Sequence, residues 1–429
     1  MILRSSPKAF GRGIHRVIPP AETLRRVRRL ARHAGVTRLA DITGLDRIGI
    51  PTYSAVVPKS RDLLSVYNGK GATAVEAACG ALMEAVERHS AIEFRRPLIH
   101  GSVRSLRKRH PILDPSTITV RLDSEYTDHT RLSWVKGWDL VSRRAVLVPS
   151  QAAGYLLGEE FGPPCFDVIS SNGLASGNTI EEAVCHALCE VIERDAWTLA
   201  DLLGHWRPLW NYENCPPTRR PRRFQDDPDR FPEIDLTGAG ARIHGMFARF
   251  ARAGINAVVK DITSDLAIPT VMASAAEDGP VPLAHLGFGT HPDPEVAVVR
   301  ALSELAQSRV VDIQGVREDL SNPEDHVPAY MHHVKRVESI DWKSWFFVRT
   351  SRRRKWREMT AAVHADILDD IRYMLDRLRW AGLDQVIVVD LTMPTLKIPV
   401  VRVLVPGLES WAADHSRIGR RATAAWQSE

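Results

Sequence analysis

Two stretches of the chain carry the pattern Glu-x-x-Glu-Arg: Glu84, Glu87 and Arg88 in the first, Glu190, Glu193 and Arg194 in the second. On a helix, carboxylates three residues apart share one face at roughly 5–6 Å. Alone they repel, and a divalent cation between or beside them turns that repulsion into attraction. An all-oxygen donor set of this kind suits magnesium rather than zinc. A Gly-containing loop precedes each stretch, GKGAT at 69–73 and ASGNT at 175–179, and such loops present backbone N–H groups that suit phosphate oxygens. The plain alternative is a solvated helical turn with arginine paired to glutamate, and recurrence in two copies weighs against it. Gly69-Lys70-Gly71 lacks the spacing of a P-loop, so Lys70 stands open between a phosphate contact and an ordinary loop lysine.

The elements that position these residues repeat. Segments 69–88, 175–194 and 289–308 superimpose without gaps, each with a glycine-containing loop, a helix start and Ala-Leu-x-Glu in the same register. Thr73 with Glu76 and Thr179 with Glu182 read as capping boxes, and Asp293 with Pro294 reads as an N-cap followed by a first helical residue. At about 100° per residue, Ala77, Ala81 and Ala85 fall on one stripe, as do Ala183, Ala187 and Val191, and Ala297, Ala301 and Leu305. Small residues there let each helix lie close to a sheet or another helix. A polar row runs beside the stripe: Glu76, Gly80, Glu84 and Glu87, then Glu182, His186, Glu190 and Glu193. The third copy keeps Glu304 and Gln307 but carries Val296 and Arg300. His186 reads as a histidine held by its glutamate neighbours, and no residue presents itself as a general base. Cys79, Cys185 and Cys189 read as small core fillers; a sulfur-relay role for Cys165 or Cys215 has no support.

The chain of 429 residues is 44% hydrophobic and 25% charged, enough apolar content for a sizeable core. Its net charge of +5 comes from arginine clusters at 25–32, 219–223 and 352–357. These read as solvated faces or contacts for an anionic partner, and no nucleic-acid fold signature accompanies them. Five cysteines without a C-x-x-C pair argue against a disulfide framework or zinc ribbon. The N-terminal residues lack the apolar core of a signal peptide and no apolar run spans a membrane, so the expected location is cytoplasmic. Strands are expected at 145–148, 257–259, 270–273, 385–391 and 399–405, and a helix over 358–381. Residues 208–232 read as a loop or lid, and Trp197, Trp206 and Trp210 beside it as packing residues. The fold class is α/β (α+β): one domain of loop–helix pseudo-repeats packed on β-sheet.

NGKGAT at 68–73, ALMEAVER ending at Arg88, SNGLASGNTIEEA at 171–183, ALCEVIERDA at 187–196 and ALSELAQSR at 301–309 together resemble the YcaO family. The resemblance implies an ATP- and Mg2+-dependent enzyme that activates a peptide backbone amide. It implies metal ligation by Glu84, Glu87, Glu190 and Glu193. Nucleotide contacts are implied for Asn178, Glu182, Arg194 and Arg309, with Lys70 and Arg88 beside them. Arg16 and Thr23 have the spacing of a Lys and a Ser that contact ATP in relatives. Gly80 departs from the Ser that many relatives carry, which removes one hydroxyl contact. The resemblance divides the chain into an N-terminal segment 1–54, a catalytic domain 55–410 and a tail 411–429. VTRLADITGLDRIGIPT (36–52), PVVRVLVPGLE (399–409) and an ending without a proline-rich tail look like the thioamide-forming branch. That branch implies a peptide or protein substrate, a sulfide donor and a TfuA-like partner, with a separate leader-peptide-binding protein and a homodimer left open. Azoline formation on Cys, Ser or Thr and a non-catalytic ATP-binding accessory role are the alternatives.

Overall fold

The computed structural model describes the chain except residues 10–12, 14, 63, 119–124, 156–160, 162, 164–169, 205–227, 278–282, 316–344, 412–417 and 428–429. The described residues form nine α-helices: α1 Pro20–Leu30, α2 Ala74–Ile92, α3 Val103–Leu106, α4 Ser150–Ala153, α5 Ile180–Gly204, α6 Ala241–Arg252, α7 Pro294–Gly315, α8 Ile367–Trp380 and α9 Arg420–Gln427.

Three sheets accompany them. The first is an antiparallel β1-β2-β3 (Arg38–Asp41, Thr52–Val56, Val66–Lys70). The second contains β4 (Ile99–Gly101), β5 (Leu132–Asp139), β6 (Arg144–Pro149), β7 (Leu174–Ser176), β13 (Ile387–Asp390) and β14 (Val400–Leu404). Its order is β4-β5-β13-β14-β7, with β6 along the other edge of β5. The third runs β11-β10-β9-β8-β12, built from β8 (Glu233–Asp235), β9 (Ala257–Asp261), β10 (Thr270–Glu277), β11 (Leu283–Thr290) and β12 (Arg353–Lys355). Between these strands every pairing is antiparallel except β12 with β8.

Each sheet carries one copy of the repeat: β3 leads into α2, β7 into α5 and β11 into α7. The small-residue stripes are the buried faces of these helices: Ala77, Ala81, Ala183, Ala187, Ala297 and Ala301 are all fully buried. Close approach is the reason. A Cβ on Gly69 would lie 2.1 Å from the Ala77 carbonyl oxygen, and one on Gly289 would lie 2.0 Å from that of Ala297.

The helix starts hold with one shift. Thr73 and Thr179 accept from the backbone of Glu76 and Glu182 at 3.3 and 3.2 Å. The glutamates, however, reach one residue further back than a capping box requires, to the N–H groups of Ala72 and Asn178. Asp293 caps the third helix through Glu295 at 2.9 Å.

The five strands read from sequence all form, as β6, β9, β10, β13 and β14. The helix expected over 358–381 begins only at Ile367, capped by Asp366, which accepts from Leu368 at 2.8 Å. Residues before it are taken by tertiary pairing: Lys8 donates its N–H to Ala365, and Ala362 donates to Pro292. A chain boundary at 54 falls inside β2, and β1 and the start of β2 share a sheet with β3. In the tail, α9 docks on α5, where Arg421 meets the buried Asp195 at 2.9 Å. Of the 208–232 loop, only residues from 228 onward are described; Trp206, Trp210, Cys165, Cys215 and the 219–223 cluster lie outside the described residues.

Candidate active site

The three repeat helices converge on a cavity of about 400 Å³. Glu84 and Glu87 from α2, Glu190 and Glu193 from α5, and Glu304 from α7 all line it. So do Arg16, Thr23, Lys70, Arg88, Asn178, Glu182 and Arg194. Sequence-distant carboxylates thus share one space.

Burial disfavours their charged forms. Burial pushes the Glu87 carboxyl far up, and Glu190 and Glu84 add repulsion that Arg88 only partly offsets. Burial likewise raises Glu84 and Glu190. Glu193 is pushed up to about 7 by burial and then by Glu304. Burial acts on all four, and carboxylates of the cluster add repulsion at Glu87, Glu190 and Glu193, which a bound divalent cation would offset. The donors are all oxygen, so the residues fit magnesium.

Cations lie around them. Arg88 and Arg194 each sit one helical turn beyond a glutamate, at 3.7 Å from Glu84 and 4.0 Å from Glu190. Arg88 also lies over the Tyr155 ring and Arg194 over Trp197, which stacks on Phe288 at 4.3 Å. Lys70 pairs with Glu304. Among the described residues the buried Arg88 Nε has no hydrogen-bond partner, which suits it to an anionic oxygen.

A second tier orders the rim. Glu182 accepts from Asn178 through both backbone and side-chain nitrogen, at 2.6 and 2.7 Å, and from the Val17 N–H at 2.7 Å. Thr23 donates to the Asn178 side-chain oxygen at 2.9 Å. This lattice ties the N-terminal segment carrying Arg16 to the start of α5. Glu182 is therefore a scaffold for Asn178 and Val17 as well as a cavity residue. Glu76, its counterpart on α2, is held by Arg242 at 2.9 Å.

Arg309 is placed elsewhere. It is buried in ion pairs with Asp46, at 2.8 Å, and with Glu277, and does not line the cavity. The helix explains it: five residues past Glu304 is about 140° around the axis, whereas Arg300, four residues before, is about 40° away. Arg300 lines the cavity and donates to the Thr290 carbonyl at 3.1 Å. Its position in the polar row was the signal available in the sequence, together with those of Glu304 and Gln307, which also line the site. His186 is not governed by glutamates. Burial, then Arg300, Arg16 and Lys70, holds its imidazole far below the usual range, so it is neutral. Cys185 and Cys189 are core residues, but Cys79 lines the cavity, with burial raising its thiol to about 11.

An acidic centre with cationic flanks on an α/β scaffold defines a site for a metal-complexed polyanion. Residues 68–409 match the family described as YcaO cyclodehydratase, ATP- and Mg2+-binding, and the chain belongs to the YcaO family. An uncharacterized protein of Methanothermobacter thermautotrophicus is 36% identical over 94% of this chain and 97% of its own length. A Rhizobium leguminosarum bv. trifolii protein described as lying in the tfuA 3' region is 34% identical, covering 95% and 92%. Among solved structures, YcaO from Methanopyrus kandleri bound with AMPPCP and Mg2+ aligns with a TM-score of 0.69 at 25% identity, over 97% of this chain and 98% of that one. A heterocyclase in complex with substrate and cofactor shares the fold, with a TM-score of 0.74 at 22% identity; this chain spans 54% of its length. Among the described residues no helix is long and apolar enough to cross a membrane.

Proposed function

We propose that the protein uses ATP and Mg2+ to activate a peptide backbone amide and, with a sulfide donor and a TfuA-like partner, converts it to a thioamide. The observation that carries this reading is the convergence of Glu84, Glu87, Glu190, Glu193 and Glu304 from three helices on one cavity flanked by Arg16, Lys70, Arg88, Arg194 and Arg300. Magnesium held by the glutamates would offset charge on the phosphate oxygens during transfer. The arginines and Lys70 would hold the remaining phosphate oxygens, and the Thr23–Asn178–Glu182 lattice ties the N-terminal segment to the rim of the cavity. Neutral His186 can donate one hydrogen bond there without adding charge.

An amide carbon is a poor electrophile because resonance ties it to nitrogen. Transfer of the γ-phosphoryl group to the amide oxygen makes that oxygen a leaving group once a nucleophile has added at carbon. With hydrosulfide, carbon gains a C–S bond, loses phosphate and yields a thioamide; ADP is the other product. The 34% identical relative described by its place beside tfuA favours this branch. The second reading follows from the same site: a neighbouring Cys, Ser or Thr of the peptide as nucleophile gives an azoline, in line with the cyclodehydratase description of the family. Incubation of protein, ATP, Mg2+, sulfide, partner and candidate peptide, read by mass spectrometry, separates them. Exchange of one oxygen for one sulfur supports the thioamide, loss of one water supports the azoline, and neither product nor peptide-dependent ADP release leaves only an accessory role.

A further inference from the structure

The three acidic helices are not equipped alike. Glu84, Glu190 and Glu304 occupy equivalent places in the repeat, and the first two each have an arginine four residues on, fixed to the same helix. The third copy has Ser308 at that place. Its glutamate is met instead by Lys70, which reaches across from the end of β3, between Gly69 and Gly71, and pairs directly with Glu304. Neither side chain is locked away, at 29% and 27% exposed, and both line the cavity. The Lys70 charge also lowers Glu84 and Glu193, carboxylates of the other two helices.

An arginine one turn away on its own helix cannot move out of its glutamate's neighbourhood, whatever else it also contacts. A lysine on a four-carbon stem from a glycine-flanked position can, and its single charge is outmatched by a divalent ion able to serve several carboxylates at once. We propose that Lys70 is the resident counter-cation of the metal-free site: it holds the place beside Glu304 until a divalent cation displaces it, and the freed ammonium then turns to the nucleotide phosphates. This rests on the reading of the cavity as a metal–nucleotide site. It makes Glu304 a metal-facing residue and makes metal and nucleotide binding cooperative, because the cation that enters releases the lysine that the phosphates need.

Mn2+ serves as the probe, titrated without nucleotide at pH 8 and followed by the electron paramagnetic resonance of the free ion. Lys70→Met is expected to bind Mn2+ several-fold more tightly than wild type while binding the ATP analogue more weakly. Glu304→Gln is expected to weaken Mn2+ binding and to cancel the gain in the double variant. In the unmodified protein, acetylation of Lys70 by acetic anhydride, read by peptide mass spectrometry, is expected to rise when Mn2+ is added; this readout does not depend on any variant folding. Unchanged or weaker Mn2+ binding by folded Lys70→Met, or Lys70 labelling indifferent to Mn2+ that does bind, overturns the proposal and leaves the site reading standing. Wild type that binds neither Mn2+ nor nucleotide overturns the site reading, and this proposal with it.

Discussion

Glu193 offers a quantitative handle on the acidic cluster. Its carboxyl is pushed up to about 7 by burial and by Glu304, against the pull of Arg194. A proton on Glu193 must leave before a cation takes its place, so acid competes with metal. A group with a pKa near 7 is roughly nine-tenths protonated at pH 6 and one-tenth at pH 8, so this residue alone weakens cation binding about tenfold across that interval, or about 1.4 kcal/mol. Glu84, Glu87 and Glu190 are also raised, and act in the same direction. Isothermal titration of Mg2+ with a non-hydrolysable ATP analogue at pH 6, 7 and 8, repeated in buffers of different ionisation enthalpy, reads both affinity and protons released. About half a proton at pH 7 is expected from Glu193. Glu193→Gln should bind more weakly and lose much of the pH slope. Affinity that is flat over this range, with no proton release, would refute the picture of carboxylates awaiting a cation.

The same shift governs the metal-free protein. A carboxyl raised on folding contributes stability that is fully present below its ordinary value and lost as pH rises through about 7. Melts of the metal-free protein should therefore drop between pH 5 and 8, with Mg2+ and nucleotide restoring most of the loss at pH 8. Arg309→Met removes a buried partner of Asp46 and Glu277 and should cost roughly 3–5 kcal/mol of stability, seen as a lower melting temperature, without weakening nucleotide binding by the folded protein. Arg300→Met should show the reverse in the same two assays: binding of the nucleotide weakened roughly tenfold or more, melting nearly unchanged.

The helical half of the site was legible because its signals are local. The caps Thr73, Thr179 and Asp293, the alanine stripes and the glutamates obey one angular period, and that period fixes which side chains share a face. The same angular count, carried to the third copy, puts Arg300 and not Arg309 beside Glu304, whereas the family resemblance pointed to Arg309. What the sequence hid is tertiary. Nothing in the pattern of one helix says that its sheet is separate from the other two, or that Lys70 answers the missing arginine of the third copy. The segment ahead of α8 has helical composition, but pairing with the N-terminal residues and the Asp366 cap override it. His186 sits among glutamates in sequence, whereas the charges that reach it come from Arg300, Arg16 and Lys70 on other elements.

The most direct measurement is anomalous diffraction from crystals grown with Mn2+ and a non-hydrolysable ATP analogue. Manganese peaks are expected with carboxylates among Glu84, Glu87, Glu190 and Glu193 as ligands, and the phosphate chain between them and Arg88 and Arg194. Manganese and nucleotide bound elsewhere, with these glutamates turned to solvent, would contradict the proposed site.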